Sequence, residues 1–382
     1  AESADAAQVG RITNPIFSFE RMVVGDELEL ARSLSFGLLD LLTLPARTGI
    51  AERRIEQAQL RLSSEVVDRV TQVRQAWVRA VAAQQTLNYA RQVFESAEAG
   101  AELARRMQSV GNFNRLSRAR EQSFYADTAT RVATAGHQAT ASREELVRLL
   151  GLDEAQAQKL QLPERLPDLP RAPLEPNAVG ALATTGRLDI RLAQSALAGA
   201  GKAQGLNIIT SFTDIELTAR RNTVFDNAAS TQTNPRGFEV AVRLPIFDWG
   251  GARVARAEAL YLQALDRAAD TAIRARSEVR EAYVNQRTTH DIARHLRDEV
   301  VPLQQRVSEE NLLRYNGMLI GVFDLLADAR AQVHSVAAYL DALRDFWVAQ
   351  ADLDLAMVSS PSLSAPSGGS GPALPASGNA PH

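Results

Sequence analysis

Two periodicities of apolar and polar residues divide this chain. Residues 50–99 and 252–301 contain neither Gly nor Pro, and at 1.5 Å rise per residue each run predicts a helical rod of about 75 Å. Within the first, Val66, Val70, Val73, Trp77 and Val81 recur at spacings of 4, 3, 4 and 4, a narrow apolar seam suited to coiled-coil packing. Two further helical stretches, 114–150 and 322–357, are rich in Ala and Leu. The Gly-containing turns before them, at 108–112 and 316–321, predict the tips of helical hairpins, where Gly supplies backbone freedom.

Elsewhere the period falls to two. In GFEVAVRLP (237–245), Phe238, Val240, Val242 and Leu244 share one face, and Gly237, Glu239, Ala241 and Arg243 the other, which predicts a strand. In SLSFGLLDLLTLP (33–45), Leu34, Phe36, Leu38, Leu42 and Leu44 keep the same parity, broken by Asp40. Upstream partners are expected at 16–24 and 207–221, across polar loops near 25–32 and 222–236.

The two halves echo one another. GNFNRLSRAR (111–120) returns as GVFDLLADAR (321–330), Val73–Val78 as Val279–Val284, Leu44-Pro45 as Leu244-Pro245, and Ser18-Phe19 as Ser211-Phe212. The matches are colinear, so the chain reads as an internal duplication far longer than a solenoid unit. Each repeat is helix, strand, loop, strand, long helix, tip, helix. The first repeat is expected over 1–150 (β-hairpin 16–45, coiled-coil hairpin 50–150) and the second over 178–357 (β-hairpin 207–247, coiled-coil hairpin 250–357). A Pro-rich linker, 151–177, joins them and cannot be one continuous helix. The Pro/Ser/Gly/Ala segment 358–382 is expected to be disordered.

Composition narrows the function classes. Net charge is −3, and the basic residues, all Arg except Lys159 and Lys202, alternate with acids rather than gathering into a nucleic-acid stripe. Cysteine is absent, which removes thiolate metal sites and thiol nucleophiles and fits an oxidising or envelope compartment. No apolar run reaches the length of a membrane-spanning helix, and no leader is visible at AESADAAQVG. His290 and His295 are five apart, off one helical face, and no phosphate loop or nucleophile elbow stands out. No enzymatic activity and no cofactor are expected, so energy for any transport would come from a partner.

Four strands with apolar faces pose a physical problem. In water such faces aggregate; in lipid a four-stranded sheet leaves two edges unpaired. Closure solves both, and membrane barrels need at least about eight strands. Several copies must therefore share one barrel, and three copies give twelve strands.

The residues that carry a resemblance are LPIFDWGGARVARAEA (244–259), the repeated Val-Arg-x-Ala-aromatic motif, VVPLQQ (300–305) with Pro302, RYNGMLIGVFDLLADAR (314–330) and DALRDFWVAQADLDLA (341–356). Together they resemble the outer membrane efflux proteins, the TolC family, over about 12–357. The resemblance implies a mainly α chain with membrane β: a homotrimeric α-helical barrel in the periplasm, capped by a twelve-stranded β-barrel in the outer membrane, four strands per chain. It implies as partners a periplasmic adaptor protein, an inner-membrane pump and outer membrane lipid, with no nucleic acid. It also implies a first helix longer than residues 1–12 allow, so the chain is expected to lack its leader and most of that helix.

The same resemblance suggests site residues. Asp324 falls where the family places an aspartate in its periplasmic constriction; three copies would form a cation-attracting ring, although an acid there also offsets the helix macrodipole. Asn114 is its uncharged counterpart in the first repeat. Ala327 stands where relatives carry a second acid, which implies a less cation-selective mouth. Tyr315 either helps hold the tip closed or packs its own hairpin. The tips at 105–113 and 315–323, with Gly111, Phe113, Gly317, Gly321 and Phe323, would meet the adaptor, Gly111 and Gly321 serving the turns in any case. Phe247 and Trp249 either anchor the barrel at the headgroups or fill the strand–helix junction.

The leading reading is a passive outer membrane exit duct of a multi-component exporter. A second is a soluble periplasmic coiled-coil scaffold or adaptor with its strands in an internal sandwich; a cytoplasmic coiled-coil protein leaves the strands unexplained. Strand facing separates the first two.

Overall fold

The computed structural model describes residues 11, 14–25, 27–111, 114–170, 186–210, 214–226, 231–243 and 250–360. Phe113, Phe247, Trp249, most of the linker beyond 170 and the tail beyond 360 lie outside them. Two compact units are formed, Ala1–Ser63 with Leu188–Arg274, and Ser64–Arg187 with Ala275–His382.

The first unit carries the sheet. Strand β1 (Ile16–Val24) pairs antiparallel with β2 (Glu27–Gly37), Val24 opposite Glu27. Gly25 takes φ +59°, the left-handed geometry a two-residue hairpin turn needs. β2 pairs in turn with β3 (Asp214–Asp226). The far side of β3 is shared by β4 (Thr231–Thr233) and β5 (Arg236–Arg243). Pro235 between them has no N–H to give the ladder, but its carbonyl still accepts from the Asn222 N–H at 3.0 Å, so β4 and β5 are one interrupted strand.

Two strand boundaries differ from those expected. The second strand is not 33–45: it spans Glu27–Gly37, using the segment expected as a polar loop, and helix α1 (Leu38–Ser109) starts at the next residue. ELELAR alternates with period two despite its charges, whereas LLDLLTL satisfies helical and strand spacing equally. Likewise residues 207–210 end a helix rather than begin a strand, and β3 runs on through 222–226.

Helices of this unit pack through small residues. α1 lies against α4 (Leu188–Thr210), Ser195 Oγ donating to Glu56 Oε2 at 3.2 Å. A side chain at Gly199 or Gly201 would come within 3.5 Å of Gln57 or 3.6 Å of the Tyr261 ring, so glycine permits close approach. Tyr261 belongs to α5 (Gly251–His295).

The second unit is helical. α2 (Arg115–Leu150) and the six-residue α3 (Glu154–Lys159) follow α1. α5 continues through a π turn, Leu296–Val300, into α6 (Val301–Asn316), and α7 (Val322–Val358) closes the order. Pro302 cannot supply an i→i−4 N–H, and the wider turn just before it absorbs the mismatch. The core joins Val78, Val81 and Ala82 of α1, Ala293 of α5, and Leu343 and Phe346 of α7, plugged by Leu166 and Leu169 of the linker. The linker is strapped down by Trp347 Nε1 to Pro167 O at 3.0 Å and by a His290 Nε2 contact with Pro170 O at 3.0 Å. His290 is thus a buried structural residue.

The expected seam is only partly a core. Val81 is buried, Val73 and Trp77 are half-buried, but Val66 and Val70 are 54% and 60% exposed. At their level the buried positions are polar: Ser64, Asp68 and Thr71. Ser64 Oγ meets Ser359 Oγ at 2.6 Å, and Gln75 donates to Asp352 at 2.5 Å.

Candidate functional site

Register makes the sheet two-faced. Phe17 and Phe19 of β1, Leu28, Leu30, Leu34 and Phe36 of β2, Leu217 and Phe225 of β3, and Phe238, Val240 and Val242 of β5 share one side. Leu28, Leu30, Leu217 and Phe225 are half-buried, and the rest are exposed, Phe17 at 65% and Phe238 at 82%. Arg21, Arg32, Arg221 and Arg236 interrupt this side. On the other side stand Ser18, Glu20, Glu29, Ser33, Arg220 and Asn222, with Asn222 Nδ2 donating to Glu29 at 2.6 Å, Ser35 Oγ 2.9 Å from Thr218 Oγ1, and Arg220 3.3 Å from Glu239. Ile16 at the far end and Met22, Val24 and Val224 near the turn are apolar exceptions there.

Each tip is a short turn between antiparallel helices. At the first, Gly111 takes φ +80° and its N–H bonds the Gln108 carbonyl at 3.0 Å; Asn114 is exposed. At the second, the left-handed residue is not Gly317, whose φ is −81°, but Met318 at φ +56°. Glycine freedom is therefore required at Gly111 and not at Gly317, where the Gly317 N–H to Leu313 O bond of 3.0 Å ends α6 as an ordinary C-cap. Tyr315 is half-buried, and Gly321 precedes α7, its carbonyl accepting the Leu325 N–H at 3.4 Å. Side chains of Phe323 and Asp324 lie outside the description.

Sequence reasoning missed the apolar character of these turns. Met318 and Leu319 are 93% and 77% exposed, and Val110 70%. Met318 combines exposure with a left-handed backbone, and the apolar pair was readable in NGML beside Gly317. It also missed the clamp behind the tips, where buried Glu121 of α2 receives Arg330 of α7 at 2.7 Å while that guanidinium lies 4.4 Å over Phe124. Arg330 ends the duplicated GVFDLLADAR motif. On α1, Arg106 and Arg105 hydrogen-bond Glu102 and hold its carboxyl below the ordinary range.

No cluster of three metal-ligating side chains occurs among the described residues, and no described helix is long and apolar enough to cross a membrane. A cleft of about 820 Å³ runs between α1, α2 and α7, walled by Ala82, Ala83, Ala90 and Thr128. None of the residues expected at the site lines it, and its walls are those of a helix-packing groove.

The fold has solved counterparts. A membrane protein from Pseudomonas aeruginosa superposes with TM-score 0.76 at 20% identity, over 94% of this chain and 84% of its own. The outer membrane protein VceC of Vibrio cholerae gives 0.75 at 14%, over 93% and 89%. The open state of the MtrE outer membrane channel of Neisseria gonorrhoeae gives 0.71 at 18%, over 93% and 82%. No family model and no curated protein matches the sequence.

Proposed function

We infer that this chain, which has the fold of the outer membrane channels VceC and MtrE, is one subunit of a passive exit duct in the outer membrane, serving a multi-component efflux or export system. The observation that carries the reading is the sheet: an apolar face without cover, backed by a polar face lined with carboxylates. In an internal sandwich the apolar face would be packed against protein, as the scaffold reading requires. Facing lipid, the same residues need no cover, and Glu20, Glu29 and Glu239 line a wet lumen.

Closure follows from the edges. Among the described residues β1 and the β4–β5 strand each have one unpaired side, which lipid does not tolerate. Three copies supply twelve strands and remove every edge. The helices also leave apolar positions open to neighbouring copies, since Val66 and Val70 on α1 and Val284 and Ile292 on α5 are 50–60% exposed at helical spacing. Such stripes are covered when neighbouring copies close a helical barrel in the periplasm.

The tips form the periplasmic mouth. Gly111, Gly317, Gly321, Phe113 and Phe323, joined by Met318 and Leu319, meet an adaptor that links the duct to an inner-membrane pump. Asp324 forms a carboxylate ring at the constriction, with Tyr315 holding the tip and Asn114 as the neutral position between. Phe247 and Trp249 anchor the barrel at the headgroups.

Membrane fractionation followed by sizing in detergent tests this. Recovery as a trimer in the outer membrane is expected; a monomer in the periplasmic extract would refute it.

A further inference from the structure

We propose that Arg32, Arg221 and Arg236, with Arg21 beside them, form a belt that binds the phosphates of a multiply phosphorylated lipid in the leaflet nearer the hairpin turns. The proposal rests on the reading of the apolar sheet face as lipid-facing.

Register brings the belt together. Arg32 stands opposite Arg221, and Arg221 opposite Arg236, so three guanidinium-bearing positions fall in one row across three neighbouring strands, about 4.8 Å apart. Arg21, opposite Leu30, lies one row nearer the turn. Arg21, Arg221 and Arg236 are exposed and Arg32 is half-buried. Among the described residues no carboxylate pairs with any of the four, whereas Arg220 on the opposite face is held 3.3 Å from Glu239. Like charges directly opposite one another repel, so the row needs an external counter-charge. A single interfacial Arg would only snorkel; three in register present an array.

Depth points to the headgroups. Towards the helices three apolar rows follow the belt: Phe17, Leu34, Ala219 and Phe238, then Phe36, Leu217 and Val240, then Ile215 and Val242. At about 6.7 Å per row these cover about 20 Å of strand, which at a strand tilt of about 35–45° is about 15 Å of height, over half of the apolar band of about 25 Å that a barrel presents to lipid. Towards the turn the next row is broken by Arg21 and the one beyond holds Val23, Leu28 and Phe225, so the belt bounds the uninterrupted apolar rows on the turn side, the direction in which an outward Arg becomes better tolerated.

Chemistry selects the headgroup. Guanidinium forks match phosphate oxygens in paired hydrogen bonds. Several within about 10 Å suit a lipid bearing two phosphate monoesters better than a zwitterionic one, whose own ammonium opposes the row.

The test reconstitutes the purified full chain into phosphatidylcholine vesicles doped with bisphosphorylated lipid A, re-extracts it, and counts co-purified lipid A by mass spectrometry. Wild type is expected to retain lipid A, R32Q/R221Q/R236Q at least fivefold less, and R32K/R221K/R236K an intermediate amount. Arg220→Gln is expected to match wild type. Should the triple variant not assemble, Arg236→Gln alone on its interrupted edge strand reads the same loss at about twofold. Undiminished retention by the Gln variants, or equal retention of fully dephosphorylated lipid A, overturns the belt. Wild type that inserts into the vesicles leaves the duct reading standing in that case; wild type that stays outside every vesicle overturns both.

Discussion

Val240→Arg puts a charge on the apolar face at a known depth. Val240 stands opposite Leu217, two rows from the arginine row and between Phe238 and Val242 on its own strand, and it is 51% exposed in the single chain. If that exposure is to lipid, Arg near the middle of the band costs about 2–4 kcal/mol per chain, against about 0–1 near the interface. At 1.4 kcal/mol per decade, the lower figure is already a loss of about 30-fold in the folding equilibrium constant. The neighbouring Ala241 provides the control: it faces the other way, opposite Glu216, so Ala241→Arg is expected within about 0.5 kcal/mol of wild type.

Urea titration of folding into short-chain phosphatidylcholine vesicles, read by gel mobility, measures both variants on one scale. The two must differ by the full lipid-transfer term. Equal stability would refute lipid facing, because adjacent residues on one strand share propensity and strand position and differ only in side. A destabilised Ala241→Arg with a neutral Val240→Arg would reverse the assignment of lumen and lipid.

Three other outcomes are expected. Asp324→Asn should lower cation preference in planar-bilayer recordings, and unchanged selectivity would remove the carboxylate ring. Gly321→Val should abolish export while trimers persist; Gly321 does not need a left-handed backbone, so normal export would exclude contact at the tip, whereas the same change at Gly111 would strain the chain itself. Burial raises the Asp352 carboxyl above its ordinary 3.8, so its ionised form costs the folded state above that raised value and nothing once pH falls below 3.8, where both states are protonated. Asp352→Asn, which keeps the acceptor for Gln75, should raise the melting temperature at pH 7 and match wild type at pH 3; a gap unchanged at acid pH would refute the sign.

What sequence made legible was periodicity. GFEVAVR alternates so cleanly that the β5 facing follows from parity, and runs free of Gly and Pro mark α1 and α5. Boundaries were hidden where no residue punctuates them. β2 passes into α1 through Gly37 and Leu38 with no turn between, and the Leu-rich text on both sides fits either period. Tip chemistry was half legible: Gly111 was read for its true backbone role, but the left-handed residue of the second tip is Met318, where the expectation gave the backbone freedom to glycine. Composition-based turn rules rank residues by strain, and a turn that serves as a contact surface spends that strain differently.

The seam on α1 marks where a single sequence stops. Spacing alone identifies Val66 and Val70 as apolar partners of something, and the natural assumption is a partner within the chain. Within the chain, however, that level of the helix turns Ser64, Asp68 and Thr71 inward and leaves the valines out. The inward polar groups are hydrogen-bonded, Ser64 to Ser359, Asp68 to Gln72 and Thr71 to the Val67 carbonyl, so their burial is tolerated and what is left without cover is the valine row. A second helix surface that covered the row would add the missing burial, which is what the proposed assembly supplies. The sheet repeats the argument with different residues and a different solvent: Phe17 and Phe238 are uncovered on one side and the edges are open on the other two. Helix and sheet share no side chain in these two patterns, yet both are the surfaces that the proposed duct would cover, one with further copies and the other with lipid.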